Sequence, residues 1–153
     1  MRDVASRVIL LVSLLLSTLT PAADVPAGPL DPSFRAAEQL VTDAFVQADA
    51  QHLSSTLSPR MKTYVACPLL GLGDGYYGAD QMRLLLRRLF RDRETVRFRI
   101  LQPAKGTGPD GSAVVMAVWS YRESGAPPSE ARLTFTFARE GDAWRVREIR
   151  ELK

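Results

Sequence analysis

After Asp92 the apolar period of this chain changes from about 3.6 to 2, and this change constrains the fold more than anything else in the sequence. Val96, Phe98 and Ile100 alternate with Arg97 and Arg99. Ala113–Tyr121 is almost wholly apolar, as expected of a central strand covered on both faces. Leu133, Phe135 and Phe137 alternate with Arg132, Thr134 and Thr136; Trp144 and Val146 alternate with Arg145 and Arg147, and Ile149 and Leu152 continue that strand. The connections are turns: Lys105–Ser112 with Pro-Asp-Gly, Gly125–Ser129 with two prolines, and Glu140-Gly141-Asp142. None is long enough for a crossover helix, so the strands are antiparallel hairpin partners.

Ahead of the strands the period is helical. Asp31 is placed to cap and Pro32 suits a first helical position. Phe34, Ala37, Val41, Ala44, Phe45 and Ala48 then form one apolar face. A short helix is expected over Gln51–Leu57, ended by Pro59, and a short strand over Arg60–Ala66. A further helix runs to Asp92, with Met82, Leu85, Leu86, Leu89 and Phe90 on one face and Arg83, Arg87 and Arg91 on the other. Helices followed by a meander make an α+β domain.

The N-terminus reads as a secretory signal over residues 1–23. Arg2 and Arg7 precede an apolar run, Val8–Leu19, too short for the ~20 residues of a membrane-spanning helix, and Ala22 and Ala23 offer a cleavage site. Residues 24–30 are a Pro- and Gly-containing flexible linker, and residues 31–153 a single domain. A secreted or periplasmic location follows. Removing the signal takes the net charge from +3 to +2, a weak surplus that does not argue for nucleic acid. Cys67, the single cysteine, cannot form an internal disulfide and is expected to be buried.

Gly73, Gly75 and Gly78 spell the G-x-G-x-x-G of a dinucleotide turn, but the context is wrong. Such a turn leaves a strand directly and leads through a helix to a parallel strand. Here Cys67–Leu70 intervenes, Asp80 would repel a pyrophosphate, and hairpins follow. The glycines read instead as a loop folding over the mouth of the domain.

This order of elements resembles the nuclear transport factor 2-like superfamily, also called ketosteroid isomerase-like or SnoaL-like. Asp31–Leu57, with its Ala48-Asp49-Ala50 turn, is similar to the first helical hairpin of that superfamily; Tyr77-Gly78-Ala79-Asp80-Gln81-Met82 to the start of its third helix; and Glu140–Val146 to its last hairpin. From Tyr77 to Leu152 the chain is similar to a family of small secreted bacterial proteins of this superfamily. The resemblance implies a cone in which a strongly bent antiparallel sheet wraps the N-terminal helices, often around an apolar pocket, and often a homodimer through the sheet. Some members are isomerases, dehydratases or cyclases, and many are not enzymes.

Catalysis in such a cone needs an interior carboxylate or His and an oxyanion donor. The faces expected inward are apolar, while Glu123, Glu130, Glu140, Asp142, Glu148 and Glu151 read as solvated surface. His52, the single histidine, falls in the turn after the first helix, and no cluster suggests a metal or cofactor. The sequence therefore points to a non-catalytic binding or interaction module rather than an isomerase-type enzyme. Tyr64, Tyr76, Tyr77, Phe98, Trp119, Tyr121 and Phe135 are the candidates to line a pocket for a small apolar ligand. Arg83, Arg87, Arg97, Arg99, Arg145 and Arg147 are the candidates for a basic surface that would dock an acidic partner or the cell envelope.

Overall fold

The computed structural model describes residues 31–71, 73–102, 104 and 110–153. The signal, the linker and residues 105–109 of the expected turn lie outside the described residues.

Helix α1 spans Pro32–Gln47. The Asp31 carboxylate accepts the Phe34 N–H at 2.9 Å and the Ser33 hydroxyl, so the N-cap expected from the sequence is formed. The helix stops because Ala48 turns left-handed, at φ 55° and ψ 38°, a conformation that usually calls for glycine. Asp49 then caps α2, Ala50–Ser55, accepting from the N–H groups of Gln51 and His52. α2 is shorter than expected: Leu57 leaves it to bridge to Val146. Strand β1 is Thr63–Ala66, and a 3-10 turn follows at Pro68–Leu70. The glycine stretch is not wholly loop, because Gly75–Tyr77 pairs with β1 as β2. Helix α3, Ala79–Asp92, starts where the Gln81 side chain accepts the Gly78 N–H at 3.0 Å.

Four long strands complete the chain: β3 Arg93–Gln102, β4 Ala113–Glu123, β5 Ser129–Glu140 and β6 Ala143–Leu152. The six strands form one sheet in the order β2-β1-β6-β5-β4-β3. β3 to β6 is the expected antiparallel meander, whereas β1 lies parallel to β6, a pairing no local pattern announced.

Two irregularities change which side chains face the helices. In β3 the register shifts between Thr95 and Arg97, so Val96 is the extra residue and is 50% exposed rather than interior as the alternation implied. Thr95 faces inward instead, and its Oγ1 accepts the Trp119 indole N–H at 3.0 Å. In β6 the shift falls opposite Thr136/Phe137 and leaves Arg147 without a partner residue. Beyond it the inward set moves from Trp144 and Val146 to Ile149 and Glu151.

The helices cover one face of the sheet and the interior is filled with rings. Phe45 stacks on Phe98 at 4.4 Å and meets Phe90, Trp119 and Phe135 edge-on at 5.4–5.8 Å. Phe34 joins the other end, 5.3 Å from Phe137 and 5.2 Å from Trp144. The opposite face of β4 was expected to be covered too. Among the described residues no element lies over it, and Val114 is 53% exposed.

Candidate functional site

Polar groups gather at the open end of the cone, where α3 gives way to β3 and the 3-10 turn crosses. Arg93, the first residue of β3, pairs across the strands with Glu123, and its guanidinium meets the Glu123 carboxylate at 2.9 Å. It also donates to the Leu69 carbonyl at 3.2 Å and lies 5.5 Å from the centre of the Tyr121 ring. Its Nε is buried without a partner. One arginine thus ties the 3-10 turn to the sheet. A cleft of about 340 Å³ opens beside it, lined by Leu69, Arg88, Asp92, Arg93 and Glu123 among others. Asp92 is held below the usual carboxylate range, first by its hydrogen bond from Arg91 and then by the surrounding arginine charges.

Glu151 stands deeper. It sits opposite Leu133, a core residue, and its Oε2 is buried without a partner. This corrects the reading of Glu151 as solvated surface; the bulge at Arg147 rotates it inward. Cys67 is beside it, buried as expected. Burial pushes the Cys67 thiol up to about 11, with the Glu151 charge adding to the effect. At neutral pH the thiol is protonated and inert. Neither Arg93 nor Glu151 stood out among alternating charges. The signal that was available is the three-residue step from Val146 to Ile149, which a regular strand cannot place on one face.

The candidate pocket residues fall into two groups that the fold does not bring together. Phe98, Trp119, Tyr121 and Phe135 are buried in the ring cluster; Phe98, Trp119 and Phe135 meet Phe45, and Tyr121 lies against Trp119. Tyr64 and Tyr76 are cross-strand partners 5.1 Å apart on the outer face, with Arg150 5.0 Å over the Tyr64 ring. Tyr77 packs partly against the core, and its hydroxyl donates to the Gly73 carbonyl at 2.7 Å.

The basic residues separate likewise. Arg83 pairs with Asp80 at 3.1 Å, and Arg87 lines an open cleft of about 540 Å³ with Gln47, Asp49, Gln51 and Arg91. Arg145 donates to the Ser55 carbonyl at 2.6 Å and Arg147 to the Met61 sulfur at 2.7 Å, so both brace the end of α2 and the lead-in to β1. Arg97 and Arg99 are exposed on β3, and among the described residues neither takes part in an ion pair. Among the described residues His52 takes part only through its backbone: its N–H donates to the Asp49 cap and its carbonyl accepts the Ser55 hydroxyl.

No protein-family model matches the chain, and no curated protein matches it. Solved structures do. The fold is similar to a DUF4783 family protein from Bacteroides uniformis, with a TM-score of 0.61 and 16% identity over 75% of this chain and 94% of that one. A ketosteroid isomerase-like protein from Erwinia carotovora atroseptica gives 0.60 and 15%, over 79% and 95%. A protein of ketosteroid isomerase-like fold from Catenulispora acidiphila, in complex with trimethylamine, gives 0.59 and 13%, over 76% and 84%.

Proposed function

We propose that this chain, a domain of the nuclear transport factor 2-like fold, is an exported, non-catalytic binding module that works through its surface rather than through an enclosed apolar pocket. The observation that carries this reading is the aromatic fill. Phe45 touches four rings from α3, β3, β4 and β5, in the volume where an enzyme of this layout would seat its substrate. Export rests on the signal pattern of residues 1–23. We extend the reading to a homodimer through the outer sheet face, where exposed Val114 and half-buried Met116 give an apolar centre with no cover from the described residues.

One observation favours a rival, a small-molecule enzyme of the isomerase or dehydratase kind. Glu151 Oε2 is a buried acceptor without a partner, and Arg93, though paired with Glu123 through a terminal nitrogen, keeps a buried Nε donor without one; these are the two roles such chemistry needs. Support for a ligand-handling role comes from two solved neighbours, a ketosteroid isomerase-like protein and a protein of that fold in complex with trimethylamine.

Native mass spectrometry of the protein isolated from its own compartment separates the two. The binding-module reading expects a chain beginning after Ala22 or Ala23 with no small-molecule adduct. A stoichiometric adduct that disappears in Glu151→Gln would overturn it in favour of the enzyme.

A further inference from the structure

Among the described residues the sheet ends in a long strand whose outer edge is open. β3 lies last in the strand order, and of the described strands only β4 pairs with it. An unpaired edge is a template for another strand, and proteins usually guard it with charge or irregularity. β3 has both, but they leave a regular window. Between the shifts at Thr95/Arg97 and Ile100/Gln102, residues Arg97–Ile100 run in unbroken register opposite Ser120–Ala117.

The window carries its charge at strand period. Arg97 and Arg99 point to the outer face, two residues and therefore roughly 6.8 Å apart. Arg132 extends the band inward, in the row Arg99–Val118–Arg132. All three are exposed, and among the described residues none has an acidic partner. The other arginines of the sheet are held: Arg93 pairs with Glu123, Arg122 with Glu94, Arg139 with Asp31 and Arg150 with Glu148, while Arg145 and Arg147 donate to the Ser55 carbonyl and the Met61 sulfur. Among the described residues of the sheet, Arg97 and Arg99 at the edge and Arg132 two strands in are the arginines left without such a partner.

We infer that the β3 edge accepts an extended acidic peptide segment of a partner protein as a seventh strand. Its backbone would pair with Arg97–Ile100, and its Asp or Glu residues at alternating positions would meet Arg97 and Arg99. The alternating acid spacing of an extended strand equals the arginine spacing, which a lipid surface does not reproduce. A second copy of this chain is disfavoured at the same edge, because edge-to-edge pairing would set these arginines against one another. The inference concerns the outer edge alone and stands whether the cone is packed or holds a ligand.

The test uses a fluorescent peptide of Glu-Thr repeats and a second, block peptide of the same composition built from Glu-Glu-Thr-Thr repeats, in which no two glutamates lie two residues apart. Fluorescence anisotropy reads affinity, and amide hydrogen exchange reads strand pairing at Arg97–Ile100. The repeat peptide is expected to bind about tenfold tighter than the block peptide and to slow exchange in that window. Arg97→Glu/Arg99→Glu should weaken it by at least about tenfold, and Arg97→Gln/Arg99→Gln gives a second reading should charge reversal disturb the fold. Equal affinity for both peptides, or no change in exchange, would overturn the strand pairing. So would binding to phosphatidylglycerol vesicles with none to the peptide, which would make the band a lipid contact.

Discussion

The two faces of β3, β4 and β5 differ in what they leave unsatisfied. On the inner face Phe98, Trp119 and Phe135 each meet Phe45, Phe98 also meets Phe135, and Thr95 satisfies the one buried indole N–H of the cluster. On the outer face, one residue away along the same strands, Arg97, Arg99 and Arg132 stand in water beside exposed Val96 and Val114. Because successive side chains on a strand point to opposite faces, one stretch of sequence builds both surfaces. The ring cluster of the inner face is packed without a ligand, and the buried groups left unpaired, Arg93 Nε and Glu151 Oε2, lie outside that cluster, whereas the outer face presents its charges to water or to a partner. This contrast is why we place the binding activity on the outside.

The largest predicted effect belongs to the inner face. Phe45→Ala should cost about 4 kcal/mol of unfolding free energy in denaturant titrations, because it empties the centre of the cluster. A cost near that of a surface substitution would mean that the rings are not packed as described. Next comes the polar group buried among them: Thr95→Val leaves the Trp119 indole N–H without a partner and should cost about 2 kcal/mol. At the mouth, Cys67 links stability to pH. Its thiol is raised from 9.0 to about 11 in the folded chain, so between those values the unfolded chain gives up the proton and the folded chain keeps it. Stability should therefore fall as pH rises through that window, by on the order of 2 kcal/mol, and Cys67→Ala should flatten the slope. Glu151→Gln should lower the thiol toward 9.0 without reaching it, since burial is the larger cause. The smallest effect lies outside: Arg99→Ala should change stability by no more than about 0.5 kcal/mol. A large loss there would show that the arginines hold the fold rather than await a partner.

Much of this contrast was legible in the sequence, and the exceptions have physical causes. The N-cap at Asp31, the apolar stripe of α1 from Phe34 to Phe45 and the alternation in β5 each follow from local pattern, and each is formed; Ala48, expected on that stripe, is instead the exposed left-handed C-cap. Phe98, Trp119 and Phe135 were recognisable as inward residues, but whether inward aromatics leave a cavity depends on how far apart the facing elements lie, which no period encodes. Val96 and Glu151 were misplaced for one reason. A bulge shifts the face of every residue on one side of it, and alternation assumes that there is none. The parallel pairing of β1 with β6 joins segments about 80 residues apart, and no local signal reports it. Tyr64 and Tyr77 look alike in sequence, but the first packs on Tyr76 outside and the second against the core.

The most direct test of the central claim is a crystal structure of the protein isolated from its native compartment, read at the space between Phe45, Phe98 and Trp119. The account predicts rings in contact, with Phe45 and Phe98 stacked near 4.4 Å and no density between them that is not protein. A small molecule lying between separated rings, with Glu151 or Arg93 reaching toward it, would contradict the account and make the cone a binding or catalytic chamber.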